Sequence, residues 1–383
     1  MNDFEFISVK SLSVRRGGAK ELQSYVRQLG GSRPFIITDA GLLAAGVLKD
    51  ALAGLSEAQA DYQMFHDVVA DPTEAVVYEA TRQAAAFNAD CIIGFGGGSS
   101  MDVAKLVALL VPTKRRLEEF YGVNVATGQR LPLILVPTTA GTGSEVTPIS
   151  IITTESDEKK GVVSPLLMPD VALLDAELTL GLPKHITAAT GIDAMVHAIE
   201  AYTSRLRKNV LSDSLARQAL SLLAGSIHAA CENGKDTQAR ENMLLGACLA
   251  GMAFANSPVA AVHALAYPLG AIFHIPHGLA NSLVLAPVLR FNLHHAASEY
   301  AEIYNVIRPG AAGSTQERAE QLIQYVEALP MQVGLPTRLS ALGVSQDDLQ
   351  TLAADAMKQQ RLLVNNPREM TQDFALEIYQ SVL

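Results

Sequence analysis

Cysteine is scarce in this chain, and where it stands excludes more than its number does. Three cysteines occur in 383 residues, at positions 91, 231 and 248, with none of the short spacings that hold a zinc ion or form a redox pair. Their odd count and wide separation fit buried free thiols in a reducing compartment, not a disulfide framework. Positive charge is also short: 29 Lys and Arg against 39 Asp and Glu leave a net charge of -10. With no basic stripe, nucleic acid and anionic membrane surfaces are poor candidates for the main partner. The opening MNDFEFISVK is acidic and lacks the apolar core of a secretory signal, so a cytoplasmic protein is expected. Internal repeats and low-complexity tracts are missing, and RPGAAGST, around Gly310 to Thr315, is the one candidate flexible joint.

The most informative absence is local. Between Glu241 and Arg290 there is no Asp, Glu, Lys or Arg, yet the run holds His263, His274 and His277. Pro258, Pro268, Pro276 and Pro287 are expected to interrupt it, and imidazoles are costly in lipid, so it reads as buried helices of a soluble protein and not as a membrane span. A buried ring needs a polar partner. Upstream, TGIDAMVHAIEAY puts Asp193 and His197 four residues apart, on one face of a helix. Taken singly, each of these groups reads as a hydrogen-bonded core residue. Together with His263 and His277 they form a set of three imidazoles and one carboxylate, which a divalent metal would satisfy. Without a thiolate the set suits iron, zinc, nickel or cobalt. Four protein ligands close a tetrahedral zinc site, whereas ferrous iron keeps room for a substrate oxygen, and iron is therefore favoured.

At this length two domains are expected. In the first half, PFIITD, a piece around Tyr62–Phe65, ADCIIGF, LPLILVP and LLMPDVALLDAELT read as strands alternating with helices, one of which follows Pro72. ADCIIGF runs into a glycine loop, Gly96 to Gly98, and Ser99 with Asp102 three residues on resembles a helix start whose free N–H groups favour an anion. Strand, glycine loop and helix in this order make a nucleotide-binding α/β unit. The G-x-G-x-x-G spacing is missing, and the acid best placed for a ribose, Asp39, precedes the glycines instead of following them. A carboxylate there accepts ribose hydroxyls and repels a 2′-phosphate, which favours NAD over NADP; the alternative is a plain turn residue. A second loop, TTAGTGSEVTP, offers the hydroxyls of Thr138, Thr139, Thr142 and Ser144. SIITTESDEKKGVVSP alternates like a hairpin, on which Lys159 is either a cofactor contact or a solvated lysine. From Pro183 onward helical periodicity takes over, with SDSLARQ read as a helix opened by a Ser cap and Thr371 before the last helix. The boundary falls near Leu182, giving an α/β domain over 1–182 and an all-helical one over 183–383.

GGGSSMDVAK, PTTAGTGSEVTP, TAATGIDAMVHAIEAYTS, HALAYPLGAIFHIPHGLANSLVL and NNPREMT, in that order, make the chain similar to the iron-containing, or group III, alcohol dehydrogenases, of the dehydroquinate synthase and glycerol dehydrogenase superfamily. The resemblance implies a dehydroquinate synthase-like fold, a metal held by Asp193, His197, His263 and His277, and an NAD(P) site lined by Asp39, Asp71, Gly97, Gly98, Ser99, Thr138, Thr139, Thr142 and Lys159. It further implies a homodimer that interconverts a small primary alcohol and its aldehyde. Three positions depart from the family pattern: Tyr267 replaces a histidine tied to proton transfer, Ile149 replaces an asparagine, and Asp71 stands where some members have asparagine. Tyr267 and His274 are the candidates for the proton relay. The competing readings are a zinc-dependent glycerol or 4-hydroxybutyrate dehydrogenase, and a nucleotide-binding protein of the same fold without turnover.

Overall fold

The computed structural model describes residues 3–113, 115–155 and 158–383. Two compact units form: Ile7–Leu182, and Pro183–Leu383 together with the N-terminal residues up to Phe6.

In the first unit, short β-branched and aromatic runs make the strands β1 (Ser11–Val14), β2 (Pro34–Ile37), β3 (Gln63–Phe65), β4 (Cys91–Gly96), β5 (Gly122–Val123), β6 (Leu133–Pro137), β7 (Ile149–Thr153), β8 (Lys159–Val163) and β9 (Val171–Leu174). Between them run α1 (Leu22–Gln28), α2 (Ala40–Ala44), α3 (Lys49–Glu57), α4 (Glu74–Phe87) and α5 (Gly98–Thr113). Six strands form a parallel sheet in the order β1-β9-β6-β4-β2-β3. Alternate residues serve opposite faces, as the pleat requires: Phe35, Ile37, Ile92, Leu133 and Leu135 pack into one core layer, Ile36, Ile93, Phe95, Ile134 and Val136 into the other. β2 pairs with both β3 and β4, so the chain reverses its direction across the sheet there. In open parallel sheets that reversal marks where a crevice opens at the carboxyl ends of the strands. A second, three-stranded sheet holds the expected hairpin, with β7 antiparallel to β8, while β5 joins β8 in parallel. Ser156 and Asp157 of the hairpin turn lie outside the described residues.

The second unit is helical: α6 (Lys184–Thr203), α7 (Val210–Glu232), α8 (Thr237–Asn256), α9 (Ala261–Phe273), α10 (His277–Ile307), α11 (Thr315–Gln332), α12 (Leu349–Ala356), α13 (Gln360–Leu363) and α14 (Gln372–Ser381). From Gly191 to Tyr202 every residue of α6 is buried, the signature of a core helix enclosed by its neighbours, here α7, α8 and α10. Among the described residues no single helix is long and apolar enough to cross a membrane; α8 and α9 pass such a test only as a pair bent by 107°. Two of the four prolines interrupt the uncharged run, Pro258 between α8 and α9 and Pro276 ahead of α10. Pro268 and Pro287 lie inside helices, where each forgoes one backbone hydrogen bond. α7 also starts earlier than the Ser212 cap expected from SDSLARQ. Asn209, with extended backbone, accepts the Ser212 amide at 3.0 Å, and Ser212 answers as the reciprocal partner of that cap.

Candidate metal centre and nucleotide loops

Three helices of the second unit bring the four candidate ligands together. Asp193 and His197 share a face of α6, His263 is the third residue of α9, and His277 is the first residue of α10. Their ligand atoms all lie within 4.8 Å of one another. Asp193, His197 and His263 are buried, whereas the His277 side chain is 43% exposed, which leaves the set open on that side. Gly278 lets α10 begin there, since a Cβ on it would overlap the Ala189 carbonyl of α6.

The rings are fixed from behind. His197 stacks between Phe254 and His263, with centroids 4.4 and 4.7 Å away. Nδ1 of His263 lies 2.6 Å from Oε2 of buried Glu200, whose other oxygen accepts the Val262 amide at 2.7 Å. Such a carboxylate–imidazole pair sets the tautomer and leaves Nε2 as the donor atom for a cation. Asn281, one turn past His277, donates Nδ2 to Asp193 Oδ1 at 2.6 Å. Burial alone would push the Asp193 carboxyl up, but the three imidazoles and the Asn281 amide outweigh it and hold the group below the ordinary carboxylate value. Three imidazoles and a carboxylate, converged and supported in this way, fit a divalent cation of borderline softness such as iron or zinc.

In the first unit the glycine and threonine loops follow the carboxyl ends of neighbouring strands. Asp39 comes after β2, Gly97, Gly98 and Ser99 after β4, and Thr138 and Thr139 after β6. The Thr138 amide donates to Gly96 O at 3.0 Å, and a Cβ on Gly98 would stand 2.9 Å from Thr142 Cγ2, so the two loops touch only because position 98 is bare. Asp39 caps α2, its Oδ1 accepting the Leu42 amide at 2.9 Å.

Asp102 does not pair with Ser99 at a helix start as the sequence suggested: α5 starts at Gly98, and the Asp102 carboxylate crosses to the second loop and β7, accepting Ser144 Oγ at 2.7 Å and the Ile151 amide at 2.9 Å. Lys105, fully buried one turn on, donates to Ser144 Oγ (2.7 Å), Thr147 Oγ1 (3.1 Å) and Ile149 O (2.6 Å). Burial drives its ammonium down to about 8, against the pull of Asp102 and Glu145.

The family model for iron-containing alcohol dehydrogenase matches residues 10–176, and that for the C-terminal part of the Fe-containing alcohol dehydrogenase family matches residues 187–383. The chain belongs to the iron-containing alcohol dehydrogenase family. Sulfoacetaldehyde reductase of Bilophila wadsworthia is 36% identical over 382 residues, covering 99% of this chain and 98% of that protein. Among solved structures, a 1,3-propanediol oxidoreductase superposes with a TM-score of 0.96 at 32% identity over the whole of both chains. A sulfoacetaldehyde reductase from Bifidobacterium kashiwanohense, solved in complex with NAD+, gives 0.89 at 27% identity, covering 100% of this chain and 99% of that one. This iron-containing alcohol dehydrogenase homologue is thus an oxidoreductase by family, with a parallel α/β unit and a helical one.

The remaining family positions are placed as follows. The Tyr267 ring packs 6.0 Å from the ring of His277, the exposed member of the cluster, and its hydroxyl interacts with the Arg361 guanidinium. Burial pushes the Tyr267 phenol up, with Arg361 opposing, so the hydroxyl keeps its proton at neutral pH. His274 is outside the cluster, exposed at the end of α9 with a left-handed φ of 55°. Lys159 is half-buried and pairs with the exposed Asp71 carboxylate. Glu200, Asn281, Lys105 and Arg361 were not singled out from sequence. A charge set in a largely apolar helix, as at Glu200 and Lys105, is the signal that marks two of them; Asn281 and Arg361 carry none.

Proposed function

We propose that the chain transfers a hydride between NAD(H) and a small primary alcohol or aldehyde, with Asp193, His197, His263 and His277 holding iron. The observation that carries this reading is the convergence of those four ligand atoms within 4.8 Å, in a chain whose relatives are named as reductases and alcohol dehydrogenases. A divalent cation bound there supplies Lewis-acid polarisation of the substrate oxygen. The protein's own part is to aim the four donors, through Glu200 and Asn281, and to leave the His277 side open to substrate.

In the same reading Asp39, Asp71, Gly97, Gly98, Ser99, Thr138, Thr139, Thr142 and Lys159 line the dinucleotide site. The bare backbone at Gly97 and Gly98 meets the phosphates at the start of α5, where unpaired N–H groups favour an anion. Asp39, oriented by the Leu42 amide, receives ribose hydroxyls and disfavours a 2′-phosphate. Tyr267 is the better placed candidate for the proton relay, since it lies beside His277 while His274 is turned out at a helix end. A homodimer and a cytoplasmic location complete the proposal; β1, at the free edge of the sheet with Leu12 and Val14 exposed, suits self-association.

The test is NADH and NADPH oxidation with short aldehydes by protein whose metal content is measured alongside. Turnover with NADH, preference over NADPH and about one iron per chain support the reading. Zinc in place of iron with glycerol turnover would favour the zinc-dependent relative, and no rate after iron is restored would favour a nucleotide-binding protein without turnover.

A further inference from the structure

Arg361 is joined to the ligand cluster through one side chain, Tyr267. Of the four clustered ligands only His277 opens to solvent, and the Tyr267 ring packs 6.0 Å from its ring. The Tyr267 hydroxyl in turn interacts with the Arg361 guanidinium. Arg361 is exposed, and among the described residues no carboxylate lies within ion-pair distance of it. One phenol oxygen occupies a small part of a group with five N–H donors, so most of its fork stays available.

The backbone that carries Arg361 is fastened to the helices that carry the cluster. Asn365 Nδ2 donates to Val259 O, just ahead of α9, at 3.0 Å and to Arg361 O at 3.2 Å. Asn366 and Asn292, the latter on α10, exchange side-chain amide hydrogen bonds at 2.8 and 2.9 Å. α13 also packs directly on α9. The backbone at Arg361 is therefore fastened to the elements that present His263 and His277. A planar cation without a carboxylate partner, one phenol away from the exposed His277 ring, complements an anion, and its geometry matches the paired oxygens of a carboxylate or sulfonate.

We propose that Arg361 recognises an anionic terminus on the substrate, a carboxylate or a sulfonate, so that short aldehydes bearing such a group are favoured over simple alkanals. The assignment rests on the dehydrogenase reading above. It adds a substrate class and a specificity-determining residue, with Tyr267 between that residue and the reacting carbon.

The experiment compares kcat/KM with NADH, on full-length iron-loaded protein, for 4-oxobutanoate against butanal and for sulfoacetaldehyde against propanal. The wild type is expected to favour one or both anions by about 10- to 100-fold, the worth of a charge-assisted hydrogen bond. In R361Q that preference collapses, mainly through KM for the anion, and R361K restores part of it. Thermal-shift titration with 4-hydroxybutanoate and isethionate gives a readout without turnover, and R361Q loses the shift. The pair that responds tells carboxylate from sulfonate. A wild type that prefers the neutral aldehydes, or an R361Q that lowers both members of a pair equally, overturns the assignment. A wild type that fails to oxidise NADH with any of these aldehydes overturns the dehydrogenase reading instead, and this one with it.

Discussion

Glu200 grips His263 by its Nδ1, at 2.6 Å, across 63 residues of chain. Replacing Glu200 by Gln keeps the size but removes the charge that sets the imidazole tautomer. The expected result is about a 10- to 100-fold loss of metal affinity, read by competition with a chromophoric chelator, in a protein that still folds. An E200Q protein with wild-type affinity would mean that His263 needs no orientation from behind.

Lys105→Met removes three hydrogen bonds at once and strands Asp102, Ser144 and Thr147 around an apolar chain. Taking one partner from a buried charge pair costs about 3–5 kcal/mol, so the melting temperature should fall and NADH fluorescence titration should show weaker binding, with metal affinity unaltered. Replacing Asp102 by Asn as well removes the other charge and should recover part of the lost stability. No recovery in the double variant would show that hydroxyl bonds, not the charge pair, make up the clamp.

The same lysine gives an alkaline signature. Burial places it at about 8 in the folded chain against an ordinary value of 10.5. Between those two values the unfolded chain holds a proton that the folded one has released, so unfolding takes up protons and stability climbs with pH. Below about 8 both states are protonated and this group adds no slope. The difference in urea midpoint between wild type and K105M, measured from pH 7 to 11, should therefore change across that window alone; a flat difference would place the ammonium in a wetter setting.

Tyr267→Phe and His274→Ala separate the two candidate proton carriers. Tyr267 sits beside His277 with its hydroxyl protonated, so Y267F is expected to lower kcat by about 100-fold and to alter the alkaline limb of the pH profile. H274A, at an exposed helix end, should cost far less. Unchanged turnover and pH profile in both would remove the relay from these side chains.

Local spacing alone makes part of this legible. Asp193 and His197 at four residues, and three histidines in a stretch without charge, are patterns one helix face and one composition window can reveal. The supporting residues act across distance. Glu200 lies in the same apolar helix but has meaning only once α9 delivers His263 to it, and Asn281, uncharged, gives no contrast with its surroundings. Asp102 misled because three residues after a serine is where a cap partner belongs; the structure uses it instead to hold Ser144 and Ile151, 42 and 49 residues onward. The buried parallel strands were readable as apolar runs. β1 was not, because SLSV sits at an exposed edge with too little apolar contrast to stand out.

Lys105 takes hold of residue 149 by its carbonyl oxygen, an atom every amino acid supplies. The isoleucine side chain is no part of that grip. Side chains other than isoleucine can therefore stand at 149 without slackening the loop, and the position is free to change, by evolution or at the bench, while the scaffold beneath it stays as it is.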